Sequence, residues 1–236
     1  LDYCLDNGLT ADVLAYHFVD NLEDFQEDLI KRANEKPSLG VQKYYYQEYQ
    51  WNTFNLYETM AHFAEFDRTS SVDVACRGIW QYGNGLSDML VLNPESENIC
   101  ARTPSWWLMT AYGSMSGTRI KSEKEAAVPY IASKDEEKGE MIILVGSNAA
   151  RTVSIDLENQ PFAGEDLVIE KYQVLGEGGY HISQDEDNGI QMKDKEEVQG
   201  SGETVSTTVN FETNNDIWML VVKKADSAPS DFCLMG

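Results

Sequence analysis

Up to about Lys121, helix-type and strand-type segments alternate one for one, and beyond it strand-type segments follow one another without a convincing long helix. This change of grammar limits the possible folds more than any other feature of the chain. Leu1 to Leu9 reads as the end of a helix, with Leu1, Cys4 and Leu5 on one face and Asn7-Gly8 as the stop. The apolar run Val13 to Phe18 follows, of the kind expected of a parallel strand covered on both faces. The stretch LEDFQEDLIKRANEK then places Leu22, Phe25, Leu29 and Ile30 on a helical stripe, with acids in its first turn and Pro37 beyond its end. A second strand in VQKYYYQEYQ, a helix from about Thr53 to Phe66, a third strand in VDVACRGIWQY and a helix in TPSWWLMTAYGSM continue the series. Such alternation predicts a parallel sheet with crossover helices.

The second grammar comprises VPYIAS, EMIILVGS, RTVSIDL, LVIEKYQVL, TVSTTVNF and IWMLVV, separated by loops rich in Lys, Glu, Gly, Asn and Asp. It predicts an antiparallel β-sandwich over residues 121–225, with 226–236 as a tail or linker. A chain of 236 residues, 42% hydrophobic, can bury cores of this size. Its formal charge of −22, from 18 basic and 40 acidic residues, repels nucleic acid and anionic membranes and leaves neutral ligands open. No stretch has the roughly 18 consecutive apolar residues of a membrane helix. Cys4, Cys76, Cys100 and Cys233 show no CxxC spacing, and Cys76, inside VDVAC, is expected to be a small buried hydrophobe. Three dispersed histidines give no metal-ligand spacing.

Within the second strand, KYYYQEYQWN sets one carboxylate, Glu48, among tyrosines, glutamines and Trp51. Three consecutive tyrosines favour a strand. A carboxylate at its end is either a solvated surface group or a group placed for chemistry. His17 closes the preceding strand, and Trp80 the following one, before the polar, flexible Gln81, Tyr82, Gly83 and Asn84. In a parallel (β/α) barrel the C-terminal strand ends build the site, which brings these three residues to one mouth.

The order YHF, YQEYQW and GIWQY at three successive strand ends, followed by a helix and a sandwich, resembles the last three strands and C-terminal domain of a clan A retaining glycoside hydrolase. The opening LDYCLDNGLTADVLAYHF is similar in particular to the β-xylosidase and α-iduronidase family. The resemblance implies a fold consisting of the C-terminal portion of a TIM (β/α)8 barrel over residues 1–120, with about three strands, and then the sandwich. It implies that Glu48 is the nucleophile. It also implies that His17 lies close to that nucleophile or to a sugar hydroxyl, and that Trp80 lies under the sugar ring, where its face packs on pyranose C–H groups. Trp51, Asn52 and Tyr82 are further candidates for lining the pocket. The substrate class implied is carbohydrate, the chemistry needs no cofactor, and cleavage of a polysaccharide implies secretion.

A retaining glycosidase needs two carboxylates about 5–5.5 Å apart, one to attack the anomeric carbon and one to protonate the leaving oxygen. The resemblance implies an Asn-Glu pair after an earlier strand, and the only such pair, Asn34-Glu35, lies at a helix end before Pro37. Three strands are also fewer than half of the eight a closed barrel requires. The expectation is therefore a fragment whose missing barrel strands come from upstream sequence or another chain. The competing expectations are a non-catalytic carbohydrate-binding or scaffold protein of the same architecture, and a sandwich that binds glycan by itself.

Overall fold

The computed structural model describes residues 1–17, 22–49, 55–69, 72–77, 89–92, 99–123, 127–174, 190–213 and 215–227. Helix α1 (Asp2–Asp6) is followed by β1 (Val13–Tyr16), α2 (Leu22–Asn34), a 3-10 turn at Pro37–Leu39, β2 (Lys43–Tyr46), α3 (Leu56–Arg68) and β3 (Val74–Ala75). The three strands form a parallel sheet in sequence order, with Tyr16 opposite Tyr46 and Tyr46 opposite Ala75. This is the arrangement the alternating first part predicts.

One face of that sheet is packed. Tyr16, Tyr46 and Ala75 meet Leu22 of α2 and Phe66 of α3, with Tyr46 almost fully buried. The other face is open among the described residues: Val13 keeps 37% and Val74 39% of its surface, and Ala15 and Cys76 are exposed too. The expectation that β1 is covered on both faces is corrected here, as is the expectation of a buried Cys76. A continuous apolar run records what both faces can tolerate and does not say whether anything covers the second. The stripe on α2 is also corrected. Leu22, Gln26 and Ala33 are the buried positions, and Phe25 is exposed while its ring lies 5.0 Å from that of Tyr16. Gln26 tolerates burial because its Oε1 accepts from the Tyr16 hydroxyl.

A short antiparallel hairpin, β4 (Leu90–Leu92) with β5 (Ile99–Arg102), precedes α4 (Pro104–Ser114). Thr103 caps α4, its Oγ1 accepting from the Trp106 N–H at 3.3 Å, and Pro104 occupies the first turn, where its missing N–H costs nothing. Trp107 is buried and Trp106 packs against the same core.

Strands β6 (Thr118–Ile120), β7 (Tyr130–Asp135), β8 (Glu140–Gly146), β10 (Leu167–Val174), β11 (Gln191–Val198) and β13 (Ile217–Lys224) make a six-stranded antiparallel sheet in the order β11-β10-β13-β8-β7-β6. Strands β9 (Arg151–Glu158) and β12 (Thr204–Phe211) pair only with each other among the described residues. Alternation along β13 sends Trp218, Leu220 and Val222 toward β9 and β12, and Ile217, Met219 and Val221 toward α3 and α4. The six-stranded sheet thus has an apolar core on each face. Gly146 lets α3 lie close on β8, since a Cβ there would come 3.1 Å from Met60 Cγ and 3.1 Å from Ile217 Cδ1. Gly117, at φ +76°, turns the chain from α4 into β6, where a Cβ would sit 2.2 Å from the Lys134 carbonyl oxygen.

Candidate active site at the ends of the parallel strands

Beyond Tyr46 the second strand leaves its regular pairing while main-chain bonds still tie it to both neighbours. The Gln47 N–H donates to Tyr16 O at 2.8 Å, the Cys76 N–H to Tyr46 O at 2.9 Å, and the Tyr49 N–H to Cys76 O at 3.1 Å. Glu48 stands between these ties with φ +53°, in the left-handed region that residues with a Cβ avoid. Such a backbone costs roughly 1–2 kcal/mol and is held here by the flanking bonds. It turns the Glu48 side chain out of the strand alternation.

Tyr46 and Tyr49 form the floor. Tyr46 stacks on Tyr16 with centroids 5.2 Å apart, and buried Tyr49 meets Phe66 edge-on at 5.0 Å and the His62 ring at 5.1 Å. Burial pushes the Tyr16 phenol well above its ordinary range, so it stays a neutral donor to Gln26. These tyrosines therefore support the strand end from beneath. His62 backs Tyr49, and its Nδ1 lies 3.5 Å from Glu65 Oε2.

His17 reaches across from β1. Its Nδ1 lies 3.4 Å from Glu48 Oε2, and its Nε2 lies 3.1 Å from Gln47 Oε1. Each ring nitrogen thus faces a side-chain oxygen, and the ring is held between Gln47 and Glu48. Glu48 remains 27% exposed at its side chain, so one flank of the carboxylate is open to a ligand. The structure thus brings together two of the residues singled out from the sequence, His17 and Glu48, and adds Gln47, whose only sequence signal is its place beside Glu48. Trp51, Asn52, Trp80 and Tyr82 lie outside the described residues.

Among the described residues, Glu58 and Glu65 on α3 are engaged elsewhere. Glu58 is spent on the start of α3, where Asn55 Nδ2 donates to its Oε1 at 2.9 Å and Asn55 Oδ1 accepts from its N–H at 3.1 Å. Glu65 is paired with His62. Among the described residues no group of three or more His, Cys, Asp or Glu is placed to hold a metal ion.

No protein-family model and no curated protein matches the chain. Solved structures do. A protein from Neocallimastix frontalis superimposes with a TM-score of 0.71 at 18% identity, over 95% of this chain and 56% of that one. A glucosidase from Croceicoccus marinus gives 0.62 at 10%, over 95% and 56%. A glycoside hydrolase family 30 endoxylanase from Clostridium papyrosolvens gives 0.54 at 13%, over 94% and 50%. The fold is one found in glycoside hydrolases. The chain spans little more than half the length of these neighbours.

Proposed function

We propose that this chain is the C-terminal part of a retaining glycoside hydrolase, with Glu48 as its nucleophile. The observation that carries the reading is the pair at the parallel strand ends, Glu48 at φ +53° with His17 Nδ1 3.4 Å from its carboxylate. On this reading β1 to β3 are the last strands of a (β/α)8 barrel covering residues 1–120, and the antiparallel sheets are a C-terminal β-sandwich over 121–225. The open face holding Val13 and Val74 then looks into the barrel interior, and further polypeptide, upstream or on another chain, supplies the remaining strands.

The Glu48 carboxylate attacks the anomeric carbon as a second carboxyl group in its acid form, carried by that further polypeptide, gives its proton to the departing glycosidic oxygen and is left as a carboxylate. The C–O bond breaks and a glycosyl ester forms on Glu48. Water, deprotonated by the second carboxylate, then attacks the same carbon and releases Glu48. His17, with Nδ1 3.4 Å from Oε2, holds the carboxylate in place. Trp80 stacks under the ring, and Trp51, Asn52 and Tyr82 line the pocket. The substrate is a neutral or weakly charged oligo- or polysaccharide, which fits a strongly acidic protein, and cleavage takes place outside the cell.

The test is Glu48→Gln in the full-length protein, assayed by reducing-sugar release from xylan and by aryl β-xyloside and β-glucoside hydrolysis. Turnover should fall by a factor of about 10⁴ with sugar binding retained. Turnover within a few fold of wild type would remove Glu48 from the mechanism.

A further inference from the structure

The segment that leaves the candidate site is tied at both ends, and one tie comes from the distant antiparallel part of the chain. Upstream, Tyr49 is buried and bonded to Cys76 O. Downstream, the chain enters α3 at Leu56, whose side chain is fully buried. The first N–H groups of a helix have no intrahelical acceptor. Asn55 satisfies the N–H of Glu58, and the N–H of Leu56 is satisfied from 159 residues away, by Asn215 Oδ1 at 2.6 Å.

Asn215 lies between β12 and β13, beside residues that are hydrogen-bonded among themselves. Asp216, with none of its surface exposed, accepts from the N–H groups of Glu212 at 3.2 Å and Thr213 at 3.1 Å and from the Thr213 hydroxyl at 3.0 Å. The Asn215 N–H in turn donates to Thr213 Oγ1 at 3.0 Å. The amide side chain therefore projects from a hydrogen-bonded stretch, and α3 itself is seated on β8 through the Gly146 and Met60 contact. Between Tyr49 and Asn55 lie residues 50–54, which include Trp51 and Asn52.

We propose that Asn215 is a positioning residue for the candidate site: by holding the first amide of α3, it fixes where the segment that follows Glu48 ends. The antiparallel part of the molecule is thereby a component of the site's geometry. The functional half of this inference rests on the assignment of Glu48, whereas the structural half does not.

The experiment is amide hydrogen exchange on the 236-residue chain, comparing wild type, Asn215→Ala, Asn215→Asp and Glu48→Gln. Loss of the acceptor should speed exchange at Leu56 and the rest of the first turn of α3, residues 55–58, about tenfold, with β12 and β13 unchanged. Asn215→Asp keeps an oxygen acceptor at a helix N-terminus and should restore slow exchange. Glu48→Gln should leave exchange as in wild type. In the full-length protein, Asn215→Ala should lower kcat for an aryl β-xyloside about tenfold more than thermal stability alone would explain, and Asn215→Asp should recover it. Unchanged exchange at 55–58 in Asn215→Ala, or exchange raised equally in β12 and β13, overturns the positioning role. An active Glu48→Gln variant together with the local exchange effect would overturn only the catalytic reading.

Discussion

At the scale of single residues, Glu48 combines a functional placement with a structural cost. Its φ of +53° is one glycine adopts freely and a residue with a Cβ adopts at a cost. Glu48→Gly should therefore stabilise the 236-residue chain by about 1 kcal/mol while removing activity from the full-length protein. Urea denaturation measures the first effect, and a loss of stability would show that the His17 pairing outweighs the backbone strain. The Glu48 and His17 positions were legible as the ends of consecutive strand-type runs, because parallel strands in sequence order align their ends. The left-handed turn at Glu48 was not, since it depends on ties from Tyr16 and Cys76 that have no local signature. The same holds for Gln26, a polar side chain whose burial depends on a tyrosine ten residues away.

At the scale of elements, α3 joins the two parts of the molecule, and its last turn contains a group that burial disfavours. The Asp67 side chain is 5% exposed, its Oδ1 is 3.7 Å from Arg119 Nε, and burial raises its carboxyl above the ordinary value of 3.8 despite Arg119 and Arg68. The sign follows directly. The unfolded chain releases this proton near 3.8, the folded chain holds it longer, and stability is lost as pH rises from about that value through the folded titration. Asp67→Asn should remove that component, so its stability advantage over wild type grows from pH 4 toward neutral. Urea unfolding of both proteins at pH 4, 5, 6 and 7 checks this, and parallel curves would contradict it. The longer elements were legible from their periodicity. β6 and the β4–β5 hairpin are only three or four residues long, and β11 reads QMKDKEEV. Its charges suit an exposed sheet edge, where they discourage pairing with other chains, and they erase the apolar alternation that signals a strand.

At the scale of the whole molecule, the parallel sheet is packed on its helix face and open on the face of Val13 and Val74. Alone, the 236-residue chain should tolerate Val13→Thr with Val74→Thr within about 0.5 kcal/mol, as for surface sites. In the full-length protein the same pair should cost about 2 kcal/mol or more, because the side chains then lie in a core. Equal costs in the two settings, by thermal or urea unfolding, would contradict an interior role for that face. The parallel pairing of β1, β2 and β3 was legible from the alternation of helix-type and strand-type segments, but sequence periodicity could not show which face of a strand lacks a neighbour. If Glu48 is the nucleophile, it forms a covalent bond to sugar during each turnover. Full-length protein treated with dinitrophenyl 2-deoxy-2-fluoro-β-xyloside and the matching β-glucoside, then digested for peptide mass spectrometry, should carry a fluoroglycosyl ester on Glu48, lost in Glu48→Gln. An adduct on another carboxylate, or inactivation of Glu48→Gln at the wild-type rate, would remove Glu48 from the nucleophile's role.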